Sequence, residues 1–204
     1  EACVEQGVRR LVFLSTLKVL GEHSRSGVPL TPDSLPNPAD DYAKSKLEAE
    51  QGLWQIAGRS GLEVVVVRSP LVYGPGVRAN FLQLWLTVAR GFPLPLGRID
   101  NLHSLVGLGN LVDLLCVCAT HFAAAGQTFL VSDGEDVSTP ELIRRIAKAQ
   151  GRSAHLLPIP PLWLRWIGKV SGRNRVVQRL LGYLQVDISH TCHTLNWSPL
   201  FRME

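Results

Sequence analysis

The sequence has no Cys-x-x-Cys pair, and its four cysteines, at 3, 116, 118 and 192, lack the spacing of a disulfide framework. A disulfide-stapled secreted scaffold is thereby excluded, and buried thiols in a reducing cytoplasm are expected. No secretory signal is visible. The most apolar stretch, 156–167, is short, interrupted by Pro158, Pro160 and Pro161, and carries Arg165, so no membrane span is expected. Charge of either sign is modest. There are 21 Lys and Arg against 17 Asp and Glu, a net charge of +4, and the isoelectric point is near 9.1. The basic residues read as scattered apart from Arg173, Arg175 and Arg179, which argues against a nucleic-acid stripe and suits small anionic ligands. Ser60 and Ser132 lack a Gly-x-Ser-x-Gly elbow, so serine hydrolase chemistry has no support. No internal repeat or low-complexity segment occurs. No initiating methionine is present either: the chain opens E-A-C-V-E-Q-G, which reads as the last turns of a helix and suggests a piece of a longer chain.

What is present is an ordinary globular composition, 46% hydrophobic over 204 residues, enough for one good core or a core and a smaller lobe. Two apolar runs without alternation, V-R-R-L-V-F-L-S (8–15) and L-E-V-V-V-V-R (62–68), predict strands covered on both faces, as in a parallel sheet. Between them lie a Pro- and Ser-rich loop and a helix over 39–57, favoured at its start by Asp40 and Asp41 and closed by Gly58 and Gly61. This is a right-handed βαβ unit. Further helices are expected over 80–90 and 110–122, strands over 102–106 and 127–131, and a helix to about 150 opened by the capping box Ser138-Thr-Pro-Glu141. Short helices with prolines and tryptophans fill the rest.

On the first helix Tyr42 and Lys46 share a face one turn apart. An ammonium beside a phenol, whose pKa is ordinarily about 10, favours the phenolate and makes tyrosine a usable acid/base. Alone, Tyr-x-x-x-Lys reads more readily as a half-buried tyrosine beside a solvated lysine. The two strand ends alter the weighing. Ser15-Thr16-Leu17-Lys18 and Arg68-Ser69-Pro70-Leu71-Val72-Tyr73-Gly74-Pro75-Gly76 converge with the helix start at the carboxyl edge of the sheet, where ligands bind in open α/β folds.

S-T-x-x-V-x-G, then P-x-x-x-Y-A-x-S-K-x-x-x-E, then R-x-P-x-V-Y-G-P-G, in this order, resemble the extended short-chain dehydrogenase/reductases. The branch is that of the NAD-dependent epimerase/dehydratases, of UDP-glucose 4-epimerase type. G-F-P-L-P-L-G (91–97), N-L-V-D (110–113) and L-N-W-S-P (195–199) agree with it. The resemblance implies an α/β fold: a partial Rossmann doubly wound parallel sheet with a small mixed α/β C-terminal substrate domain. Its implied segments are 1–77 (back half of the cofactor domain), 78–101 (substrate-domain segment), 102–131 (returning Rossmann segment) and 132–204 (substrate-binding cap). It implies Tyr42 as proton carrier, Lys46 as its partner and holder of the nicotinamide ribose, and Thr16 as hydrogen-bond donor to the reacting oxygen. Ser15, Pro70, Leu71 and Val72 would border the cofactor, NAD, with NADP left open. Lys18, Asn80, Phe81, Leu96, His103, Arg175 and Arg179 would meet the substrate, a nucleotide sugar with UDP the expected nucleotide. A homodimer through Leu47, Leu53 and Trp54, a cytoplasmic location, no nucleic-acid partner and no metal complete the implication.

The match departs from the family in three respects. No Gly-rich strand–turn–helix for a pyrophosphate is found, so the chain alone is expected to bind cofactor weakly, if at all. The Asp-Glu that dehydratases carry after the threonine is Leu17-Lys18, which disfavours dehydration. The diphosphate arginine is His103, so His103 or one of Arg173, Arg175 and Arg179 would have to share that charge. The leading expectation is a nucleotide-sugar 4-epimerase or 4-ketoreductase acting through a 4-keto sugar. The alternatives are a non-catalytic module or a sterol- or flavonoid-type dehydrogenase. Two bland readings stand beside sharp ones: His190 and His193 as packing residues rather than metal ligands, and Trp163 and Trp166 on a cap helix over the substrate pocket rather than at a membrane surface.

Overall fold

Strand β2 (Glu63–Ser69) lies at the centre of a three-stranded parallel sheet, and the computed structural model shows why its valines run without alternation. Residues 1–77, 79–172 and 174–203 are described, without the side chains of 79, 80, 167 and 174–176. A short helix α1 (Ala2–Glu5) precedes β1 (Arg10–Thr16), which pairs with β2 from Arg10↔Glu63 to Thr16↔Ser69. Val64 and Val66 pack under α2 (Asp41–Ala57), against Leu53, Trp54, Ile56 and Ala57. Val65 and Val67 point the other way, onto Leu111, Leu114 and Cys118 of α4 (Leu108–Thr120). None of the four valines exceeds 1% exposure, and each contributes about 1.5–3 kcal/mol of burial.

At buried Pro70 the chain leaves this sheet. β3 (Leu71–Tyr73) begins a second one, followed by α3 (Ala79–Ala89) and β4 (His103–Gly107), which pairs parallel to β3. β5 (Thr128–Leu130) returns beside β2, and β6 (Asp136–Val137) lies antiparallel to β4. The sheet orders are therefore β1-β2-β5 and β3-β4-β6, and the segment 102–131 contributes one strand to each. Gly74 holds the turn after β3 at φ 141°, where a Cβ would sit 3.0 Å from that of Leu108; the position requires glycine.

Ser138 caps α5 (Thr139–Ala149), its Oγ accepting from the Glu141 N–H at 3.2 Å as the capping box predicts. Leu142, Ile143 and Ile146 then build a second core with Phe81, Val88, Leu96 and Leu164. Helices α6 (Pro161–Val170), α7 (Asn174–Leu181) and α8 (Ser189–Leu195) complete the chain. Its end is tied back to α4. The Trp197 Nε1–H donates to Asp113 Oδ2 at 2.7 Å, and Asn110 Oδ1 accepts from the N–H groups of Leu200 and Phe201 at 2.9 and 3.0 Å.

Of the cysteines, Cys118 is buried while Cys116 is exposed, which corrects the expectation that both fill the core; a residue two positions along a helix lies almost on the opposite side. His190 stacks on Phe129 with ring centroids 5.5 Å apart. Leu53 and Trp54, expected on a dimer surface, pack against the sheet of their own chain. No helix among the described residues is long and apolar enough to cross a membrane.

Candidate active site

The carboxyl ends of β1 and β2 meet the first turn of α2. Asp40 sets the start of that helix: its Oδ1 accepts from the Ala43 N–H at 2.8 Å, and its Oδ2 takes the Lys18 ammonium at 2.6 Å. Lys18, then the Ala43 N–H, hold the Asp40 carboxyl below its ordinary range. Tyr42 is therefore placed on the helix's opening turn, 54% exposed, with the Lys18 ammonium 5.9 Å from its ring centroid. One turn on, Lys46 Nζ donates to the Leu14 carbonyl at 3.0 Å and lies 4.7 Å from the Phe13 ring centroid. Helix spacing puts Tyr42 and Lys46 on one face, and the Leu14 bond fixes the amine at β1. Thr16 ends that strand, 9% exposed, its Oγ1 accepting from the Lys18 N–H at 3.4 Å. Thr16, Lys18, Tyr42 and Lys46 thus share the rim around the end of β1, which among the described residues pairs on one edge only.

The same helix face continues inward to Glu50, which is 2% exposed. Its carboxylate receives Arg68 at 2.7 Å (NH2 to Oε2) and 3.2 Å (Nε to Oε1), and the Ser15 Oγ–H at 2.5 Å. Ser15, expected beside a cofactor, has its hydroxyl engaged in this cluster. Glu50 and Arg68 brace α2 against the ends of both strands, and sequence reasoning passed over them. The signal was present, since both lie inside the quoted motifs, at S-K-x-x-x-E and R-x-P.

The other expected residues are distributed more widely. Pro70 is buried at the sheet switch, Leu71 is 37% exposed, and Val72 is half-buried. Leu17 is 1% exposed, so the position after Thr16 offers no acid or base. Arg179 is brought towards the rim but is paired with Glu22, whose carboxyl it holds below the ordinary range, with Lys18 adding to the effect. His103 starts β4, hydrogen-bonded through Nε2 to Asn101 Nδ2 at 2.8 Å. Burial, and then the field of His23, push its pKa down to about 4. The ring is therefore neutral at pH 7. Phe81 and Leu96 belong to the second core, Phe81 stacking on Tyr73 at 6.0 Å. The side chains of Asn80 and Arg175 lie outside the described residues. A cavity of about 550 Å³ lies elsewhere, between Tyr73, Phe81, Trp85, Leu142 and Met203. Among the described residues no group of three or more His, Cys, Asp or Glu side chains is disposed to hold a metal.

Chemically, the rim combines an accessible phenol, a hydroxyl beside it and two ammonium groups on an open strand end. That set can exchange a proton with a bound alcohol or ketone and stabilise charge on its oxygen.

Residues 1–129 match the NAD dependent epimerase/dehydratase family. Over 197 residues the chain is 48% identical to a UDP-glucose 4-epimerase of Vibrio cholerae, covering 96% of this chain and 60% of that protein. In structure it is similar to UDP-glucuronic acid 4-epimerase from Bacillus cereus in complex with NAD: TM-score 0.76, 19% identity, 99% of this chain and 60% of that one. It is also similar to RMD from Pseudomonas aeruginosa complexed with NADPH: TM-score 0.75, 19% identity, 98% of this chain and 64% of that one. The chain therefore spans about three-fifths of the length of these three proteins.

Proposed function

The chain belongs to the NAD dependent epimerase/dehydratase family, and on that premise we propose that it carries the proton-transfer side of a nucleotide-sugar 4-epimerase or 4-ketoreductase. The observation behind this reading is the convergence of half-exposed Tyr42 with Thr16, Lys18 and Lys46 at the end of β1. The kinship with the Vibrio cholerae UDP-glucose 4-epimerase supports UDP as the nucleotide and a hexose as the reacting sugar.

Of a dinucleotide cofactor, the residues present fit the nicotinamide and its ribose. Lys46 is anchored at β1 on Tyr42's face of the helix, and among the described residues β1 pairs on one edge only. No glycine-rich turn that would seat the pyrophosphate occurs in the 204 residues. Bound NAD would supply the hydride exchange. Tyr42 would accept the proton of a sugar hydroxyl as that carbon is oxidised, and return it to the ketone oxygen on reduction. Thr16 would donate its hydroxyl hydrogen to the same oxygen. Lys18 and Lys46 would favour negative charge developing on the phenol, and Lys46 would hold the ribose hydroxyls. Lys18 and Arg179 are the cations available to an anionic substrate near the rim, each exchanging a carboxylate partner, Asp40 or Glu22, for it.

The test is interconversion of UDP-glucose and UDP-galactose with added NAD, by the full-length protein that includes a pyrophosphate-binding turn and by its Tyr42→Phe variant. A loss of about 10²–10⁴-fold with nucleotide affinity unchanged is expected; wild-type turnover in the variant would remove Tyr42 from its role. Stoichiometric consumption of NADH with a 4-keto sugar would favour the reductase over the epimerase.

A further inference from the structure

Helix α6 is turned inside out by comparison with the rest of the fold. Leu164 is 8% exposed and faces the second core, and Gly168 sits against Val177 of α7. On the opposite side Leu162, Trp163, Trp166 and Val170 are 76%, 62%, 62% and 71% exposed. At 3.6 residues per turn these four fall within an arc of about 100°. Arg165 and Lys169 follow on one flank, both exposed, neither with an ion-pair partner among the described residues. Both tryptophans face solvent.

Charge counted by segment reinforces the pattern. Residues 142–186 contain nine of the 21 Lys and Arg residues and none of the 17 Asp and Glu residues, although Arg144, Arg145 and Arg179 are paired with Glu141, Glu135 and Glu22 from outside the span. The remainder holds twelve basic and 17 acidic residues, a net charge of −5, so the whole of the chain's positive excess lies in the span that contains α6.

We propose that this face of α6 docks on an anionic lipid bilayer. The helix would lie in the plane of the membrane, with Leu162, Trp163, Trp166 and Val170 at the boundary of headgroups and acyl chains. Arg165 and Lys169 would rest on the headgroup phosphates. Indole rings favour that boundary because one edge is apolar and the other carries a hydrogen-bond donor. Arg165 and Lys169, exposed beside the apolar face, supply attraction to anionic lipid. A second copy of the chain is the weaker candidate, since a two-fold contact through this face would bring Arg165 and Lys169 of one copy towards those of the other.

The test is co-sedimentation with vesicles of phosphatidylcholine and phosphatidylglycerol, about two to one, against phosphatidylcholine alone. The expected result is binding to the mixed vesicles that weakens with salt and falls at least about tenfold in the double variant Trp163→Ser, Trp166→Ser. Arg165→Gln with Lys169→Gln should lower binding to the mixed vesicles selectively. All four side chains are exposed, so thermal melting should not change. Failure to bind mixed vesicles would overturn the proposal, as would undiminished binding by the tryptophan variant. So would sedimentation showing a dimer that the tryptophan variant dissociates while vesicles bind neither form.

Discussion

Glu50 and Arg68 form a two-pronged ion pair sealed between α2 and the ends of β1 and β2, with Ser15 on the same carboxylate. Removing one member of such a pair strands a charge away from water. Glu50→Ala should destabilise the fold by about 3–5 kcal/mol in urea unfolding. The double change Glu50→Leu, Arg68→Met should recover most of that loss. An Ala variant as stable as the parent would mean that the carboxylate is hydrated in solution.

Stability in acid should register Asp40. Its carboxyl titrates below the ordinary value near 3.8, held there by Lys18 and the Ala43 N–H. A depressed acid contributes stability that is complete above its unfolded pKa and fades as the pH falls through the folded one. Asp40→Asn retains a helix cap but has nothing to titrate. Its stability should therefore fall less steeply than the parent's below about pH 4. The pair is one-third exposed, so the difference will be modest; identical slopes would count against it.

His103 offers a second pH signature. With its pKa near 4 rather than 6.5, the unfolded chain takes up that proton first. Stability should decline as the pH drops from about 6.5 to about 4 and level off beneath. In a nuclear magnetic resonance titration the His103 ring signals should stay fixed through pH 6 and move only near pH 4. Movement near pH 6.5 would show the ring to be solvated.

Alkylation should separate two thiols that are near neighbours in sequence. Cys116 is exposed, whereas burial pushes the Cys118 thiol up to about 12. Brief treatment of the native protein with iodoacetamide, followed by peptide mapping, should find label at Cys116 and none at Cys118. Equal labelling would indicate that α4 opens readily.

The βαβ unit was legible because four consecutive valines can be covered on both faces only in a parallel sheet between helices. The capping box at Ser138 and the joint placement of Tyr42, Lys46 and Thr16 at one strand end were legible for equally local reasons. The change of sheet at Pro70 was not, since a proline announces an interruption and not the direction taken after it. Asn110, Asp113 and Trp197 entered as family phrases; their side chains serve to tie the end of the chain to α4. His103 stands where an arginine was expected, but whether a histidine carries charge depends on burial, which spacing does not convey. For Glu50 the motif indicates the face of the helix and is silent about depth.

One consequence of α2 concerns how such a protein can change. Its first two turns present the Tyr42 phenol and the Lys46 amine, and its third turn presents the carboxylate that anchors it. Drift at the anchor would be felt as lost stability, and drift at the rim would leave folding intact. The two ends of one helix therefore tolerate variation unequally, and a lineage released from catalysis would be expected to shed Tyr42 well before Glu50.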